Sequence, residues 1–152
     1  MTRAEKAKQL FQEGYACSQA VTLAFADIIG LDEGVIANAM LPFGGGLGRL
    51  RLTCGAVSGM CAAYGLICGN GENSPEHKKE TYASVQELCA AFQGRAGSLI
   101  CADLLSGKNL QVEVGGVAEP RTNEYYKKRP CSELVYDAAE ILEEYLQKEG
   151  KL

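Results

Sequence analysis

The chain has 152 residues, 47% apolar and 22% charged, with 15 Lys+Arg against 19 Asp+Glu for a formal net charge of -4. These values exclude a disordered chain and a multispan membrane protein, and the acidic balance argues against broad nucleic-acid binding. Seven cysteines stand beside one histidine and no tryptophan, so thiol chemistry is where function should be sought.

The pattern predicts an all-α fold, a single domain over 1–152 with several helices around a buried Gly/Ala/Cys-rich helix at about residues 53–69. Residues 3–13 form a charged amphipathic helix stopped by Gly14. The charges at Arg3, Glu5, Lys6, Lys8 and Glu13 leave no apolar leader segment, so the expected location is the cytoplasm, where thiols stay reduced. Residues 17–29 repeat apolar side chains at helical spacing up to Gly30. Asp32 then caps a short helix to about Leu41, which Pro42 ends.

Residues 43–52 form a glycine-rich loop with Arg49 and Arg51, and Thr53 is expected to cap the central helix. Residues 52–70 carry no charge, yet four glycines and three cysteines make the stretch small rather than greasy. It reads as a core helix, without stable membrane insertion, whose Gly55/Gly59 and Gly65/Gly69 spacings permit close backbone approach. Pro75 opens a helix ending near Gly94, and Ser98 caps another that Gly107 closes. Residues 107–129 are the least regular, and the run from Tyr125 to Arg129 reads as a solvated loop rather than a nucleic-acid patch. Pro130, at the first helical position, starts a last helix with Leu134, Val135, Ala138, Ile141, Leu142 and Tyr145 on one stripe.

On this map the cysteines fall into two groups. Cys61, Cys68 and Cys89 lie inside helices and read as small core residues. Cys17, Cys54, Cys101 and Cys131 fall at or near the starts of four different helices, where unpaired N–H groups and the macrodipole favour a thiolate. Cys54 has the strongest case, with Thr53, the Gly44-Gly45-Gly46 loop, Arg49 and Arg51 beside it, and is expected to be alkylated fastest. No C-x-x-C occurs, and the four are 37, 47 and 30 residues apart, so only the fold could assemble them into one site.

The loop residues Gly44, Gly45, Gly46, Arg49 and Arg51 are also the candidates for binding an anionic cofactor, although neither a P-loop nor a dinucleotide fingerprint is present. Close packing of the loop is the alternative. His77 reads as a surface residue, which leaves no histidine as general base.

The segments GYACSQAV, FGGGLGRLRLTCGAVSGM, GSLICADLLSG and RPCSELVYDAAEIL together resemble the C_GCAxxG_C_C family of redox-active proteins, over nearly the whole chain. The signature cysteines correspond to Cys17, Cys54, Cys101 and Cys131, and the Cys-Gly-Ala-x-x-Gly element to Cys54, Gly55, Ala56 and Gly59. The resemblance implies a redox role. Three functions follow as expectations: thiol/disulfide exchange with Cys54 as the thiolate and a partner protein or small thiol as co-reactant; an iron–sulfur cluster or other metal held by the four thiolates; or a helical interaction protein with incidental thiols. Homo-oligomerisation is left open.

Overall fold

A computed structural model describes residues 1–152. Its helices are α1 (Arg3–Gln12), α2 (Cys17–Leu23), α3 (Ala26–Ile29), α4 (Glu33–Met40), α5 (Gly44–Leu47), α6 (Gly55–Cys68), α7 (Pro75–Ala96), α8 (Cys101–Ser106), α9 (Asn123–Lys128) and α10 (Cys131–Lys148), with a 3-10 turn at Leu41–Phe43. No strand forms, and Thr53 and Ile100 make one isolated antiparallel bridge. The all-α reading therefore holds. No helix is long and apolar enough to cross a membrane.

Local signals explain most boundaries. Thr2 and Glu5 close a capping box on α1. Asp32 caps α4 by accepting from the Gly34 and Val35 amides at 2.9 and 3.3 Å. Ser74 caps α7, which runs past Gly94 and stops at Gly97, left-handed at φ 95°.

Residues 44–47, expected within a loop, form the short α5, and four further boundaries are corrected. Residues 17–29 are two helices, not one. The Thr22 hydroxyl donates back to the Ser18 carbonyl at 3.0 Å, and the Arg3 guanidinium takes the Ala24 carbonyl at 2.8 Å, so the ladder breaks where Phe25 turns into the core. Thr53 does not cap α6, because it is used in the bridge to Ile100; Cys54 is the N-cap residue itself. Ser98 does not start α8 either, since its hydroxyl accepts from the Ile100 amide and the helix begins at Cys101. Pro130 sits one position before the first helical residue of α10, which is Cys131.

One contiguous cluster of 23 buried residues joins α1, α2, α6, α7 and α10. Phe11, Phe25, Phe92, Met60, Leu88, Leu142 and Leu146 are its largest sealed side chains, each worth roughly 1.5–3 kcal/mol of apolar burial. α4 closes a second, smaller cluster over Leu23 and Ala26. α6 lies centrally, against α2, α7 and α10. Its first half is buried, while Gly65 and Leu66 reach the surface, and α2 is the more completely enclosed helix.

Close approach is confined to one end of α6. A Cβ on Gly59 would stand 2.6 Å from the Ser18 carbonyl oxygen and 3.1 Å from Val21 Cβ, whereas one on Gly65 would meet nothing within 4 Å. Gly55 and Gly59 thus let α2 and α6 touch, and the Gly65/Gly69 pair has no such role.

Candidate functional site

The four cysteines at helix starts occupy closely equivalent positions. Cys17, Cys101 and Cys131 are the first residues of α2, α8 and α10, and Cys54 is the N-cap of α6. Each sulfur therefore sits where backbone amides have no helical partner. Two of these starts are held side by side, because the Cys54 amide donates to the Leu99 carbonyl at 2.8 Å and the Cys101 amide to the Leu52 carbonyl at 2.6 Å.

All four cysteines line one cavity of about 220 Å³. That is several times the roughly 30 Å³ share of a water molecule. Glycines make the approach: Gly55 carries no Cβ because Cys17 Sγ occupies that place, and a Cβ on Gly46 would stand 2.7 Å from that of Cys101. Gly45 and Gly46 take φ of 67° and 73°, and Leu47, Arg49 and Arg51 are also left-handed, at 72°, 64° and 61°. Non-glycine residues adopt that region at a cost, so tertiary contacts must hold this loop.

Those contacts come from the segment after α8. Arg49 and Gly115 exchange hydrogen bonds, Nε to the Gly115 carbonyl at 2.9 Å and the Gly115 amide to the Arg49 carbonyl at 2.8 Å. Arg51 Nε donates to the Glu113 carbonyl at 2.9 Å. Arg129 pairs with Glu119, and both line the cavity. Residues 113–119 therefore form a strap fastened by arginines.

Burial reverses the electrostatic expectation for Cys54. The residue is only 6% exposed. Burial pushes its thiol well above the ordinary range, charge on Cys17 and Cys131 pushes the same way, and the Ala56 and Val57 amides at the head of α6 pull against them without prevailing. Cys17 is raised by burial against the Gly45 and Ser18 amides, and Cys131 is pushed up to about 12 by burial, with Cys17 adding and Arg129 opposing. Nor do the loop arginines serve Cys54. Arg51 Nη1 lies 3.8 Å from Cys101 Sγ, and the amide of Gly45 serves Cys17.

In the native, reduced protein, iodoacetamide should thus reach Cys54 last among the four cysteines, followed as a labelling time course by peptide mass mapping. A course in which Cys54 is labelled first contradicts its enclosure.

The candidate cofactor residues divide. Gly44, Gly45, Arg49 and Arg51 line the cavity, while Gly46 is buried behind Cys101. Both arginines are engaged with the strap, through the Gly115 and Glu113 carbonyls. No three Cys, His, Asp or Glu side chains are disposed to hold one metal ion. No histidine lines the cavity.

Sequence reasoning missed Arg121, Tyr125 and Arg129, which line it too. The run read as solvated loop is α9; Tyr125 and Tyr126 pack on Phe11, and Arg121 stacks over the Phe11 ring at 4.3 Å. Arg129, two residues before Cys131, was the available signal.

A family model described as "Putative redox-active protein (C_GCAxxG_C_C)" matches residues 15–145. The chain belongs to the C_GCAxxG_C_C family. All four cavity cysteines fall within the matched C_GCAxxG_C_C region, as do the glycine loop, the strap and the arginines. No curated protein and no solved structure matches the chain.

Proposed function

We propose that this C_GCAxxG_C_C protein carries out thiol/disulfide exchange in the cavity of Cys17, Cys54, Cys101 and Cys131. The observation that carries the reading is the meeting of four reduced cysteines, from four helix starts, at one cavity. Cys101 is the attacking thiol. It is partly exposed, and the Arg51 guanidinium faces its sulfur to balance a thiolate. Cys17 resolves, because it packs against the same glycine turn as Cys101: the Gly45 amide faces the Cys17 sulfur and Gly46 lies against the Cys101 Cβ.

The Cys101 thiolate attacks one sulfur of a small disulfide, breaking that S–S bond and expelling a thiolate. Cys17 then attacks Cys101 Sγ, forming the Cys17–Cys101 bond and expelling the second thiolate. The two protein protons end on the two released thiols, so the protein is oxidised by two electrons and the small disulfide reduced by two. Cys54 and Cys131, which line the same cavity, supply a second pair.

Oxidised glutathione added without oxygen should yield two glutathione thiols per protein disulfide, with the linked peptides drawn from these four residues. Cys101→Ser should reduce the cavity reaction to the uncatalysed background. Four cysteines still free after equilibration would overturn the reading.

A metal or cluster on the same thiolates is the second reading, favoured by a set of four thiols without histidine. The present sulfur arrangement does not grip an ion, so the side chains would have to draw together. Anaerobic purification with absorption spectroscopy and metal analysis tests it: a visible band with stoichiometric iron would replace the exchange reading.

A further inference from the structure

The contact between α6 and α7 carries another pair of thiols. Cys61 lies on α6, two turns beyond Cys54, and Cys89 follows the buried Leu88 on α7. Their sulfurs are 4.0 Å apart, although the residues are separated by 28 positions, and both are reduced. Neither lines the four-cysteine cavity. Cys68, seven residues further along α6, is about 10 Å away along the helix axis and stays apart.

Two features separate this pair from core filling. Leu88 and Phe92 on α7 are at most 1% exposed, and so is Ala63 on α6, whereas Cys61 and Cys89 both keep part of their surface open to solvent. Each sulfur also has the other as its sole hydrogen-bond partner. Either thiol can donate in this contact; with Cys61 as the donor the bond holds Cys89 below the usual thiol range and, with burial, pushes Cys61 up. Cys89 is the less deeply enclosed of the two sulfurs, so it is the one an incoming disulfide can reach, with Cys61 behind it to resolve.

We propose that Cys61 and Cys89 are a second redox dithiol, independent of the cavity, that exchanges with small-molecule disulfides and clips α7 to α6 when oxidised. The Cys89 thiolate attacks a sulfur of the disulfide, whose S–S bond breaks and releases one thiolate. Cys61 then attacks Cys89 Sγ, the Cys61–Cys89 bond forms and the second thiolate leaves. The protons of the two cysteines are carried off by the released thiols, and one electron pair passes from the protein to the small disulfide. The two sulfurs need to approach by about 2 Å to reach bonding distance. α7 has only Leu88 and Phe92 fully buried, so the new bond would fasten a lightly anchored helix.

The test is a titration of the full reduced chain with oxidised glutathione, read by peptide mass mapping. A peptide pair linked through Cys61 and Cys89, formed in a single equilibrium and reversed by excess reduced glutathione, is the expected result. Both residues free, bonded to other cysteines, or left as glutathione adducts in the wild-type chain would overturn the proposal. Cys61→Ser should trap Cys89 as a lasting glutathione adduct, and Cys89→Ser should leave Cys61 unmodified; the reverse assignment overturns the roles. Because the linked peptides differ, failure here leaves the cavity reaction untouched, and failure there leaves this pair untouched. The wild-type mapping also stands if a variant fails to fold.

Discussion

Gly59→Ala should destabilise the protein by about 2 kcal/mol, although alanine is the better helix former by about 1 kcal/mol. The new methyl would lie 2.6 Å from the Ser18 carbonyl oxygen, which belongs to the backbone of α2 and cannot rotate away. Overpacking of this kind costs roughly 1–3 kcal/mol, and a rigid partner puts it at the upper end. Gly55→Ala should cost a similar amount, since its methyl would collide with Cys17 Sγ and stand 2.9 Å from the Phe43 carbonyl oxygen. It should also change the alkylation rate of Cys17. Gly65→Ala is the control. Its methyl meets open space within the same helix, so it should gain roughly 0.5–1 kcal/mol. Urea denaturation of the three variants measures the difference, and equal stabilities for Gly59→Ala and Gly65→Ala would mean that α2 and α6 do not touch as described.

Under reducing conditions, stability should fall steeply as pH rises through the alkaline range. Cys17, Cys54 and Cys131 have folded-state pKa values raised by burial, Cys131 to about 12, against about 8.5 in an unfolded chain. Up to about pH 8 both states hold these protons and the native state keeps its full stability. Above that the unfolded chain releases them first, so fewer protons are bound on unfolding and stability drops with each pH unit. The loss continues until the folded values are passed, near pH 12 for Cys131. By pH 10 it is on the order of 2 kcal/mol for Cys131, and the raised Cys17 and Cys54 thiols add in the same direction. Tyr125, pushed up to about 12 by burial, adds with the same sign once pH passes about 10. Thermal midpoints between pH 7 and 10.5 should show the fall, and Cys131→Ala should shallow it. A flat profile identical in both proteins would contradict the buried thiols.

Alternating small and apolar residues, Gly and Pro punctuation and caps such as Asp32 act over a few residues, and they are why the helices could be read from the chain. The same local physics put Cys17, Cys54, Cys101 and Cys131 at helix starts, and the family resemblance rested on those residues. Boundaries failed where a distant partner took over a local group. Thr53 and Ile100 bridge each other, which moves the starts of α6 and α8, and Arg3 captures the Ala24 carbonyl where residues 17–29 break.

The chemistry of the cysteines was less legible than their positions. A helix start favours a thiolate through amides two or three residues further on, as Ala56 and Val57 do for Cys54, and that much is local. Desolvation depends on the packing of distant segments around Cys54, which leaves it 6% exposed, and it outweighs the amides. Cys61 and Cys89 looked like core residues one by one; their 4.0 Å contact exists only because α6 and α7 pack together. Sequence by itself determined the longer helices and which cysteines lie at helix starts, because hydrogen bonding and periodicity are settled within a turn or two. Only the tertiary structure decided which sulfurs meet, which are sealed from water and which arginines face them, because distance and dielectric between residues far apart in the chain are set by packing.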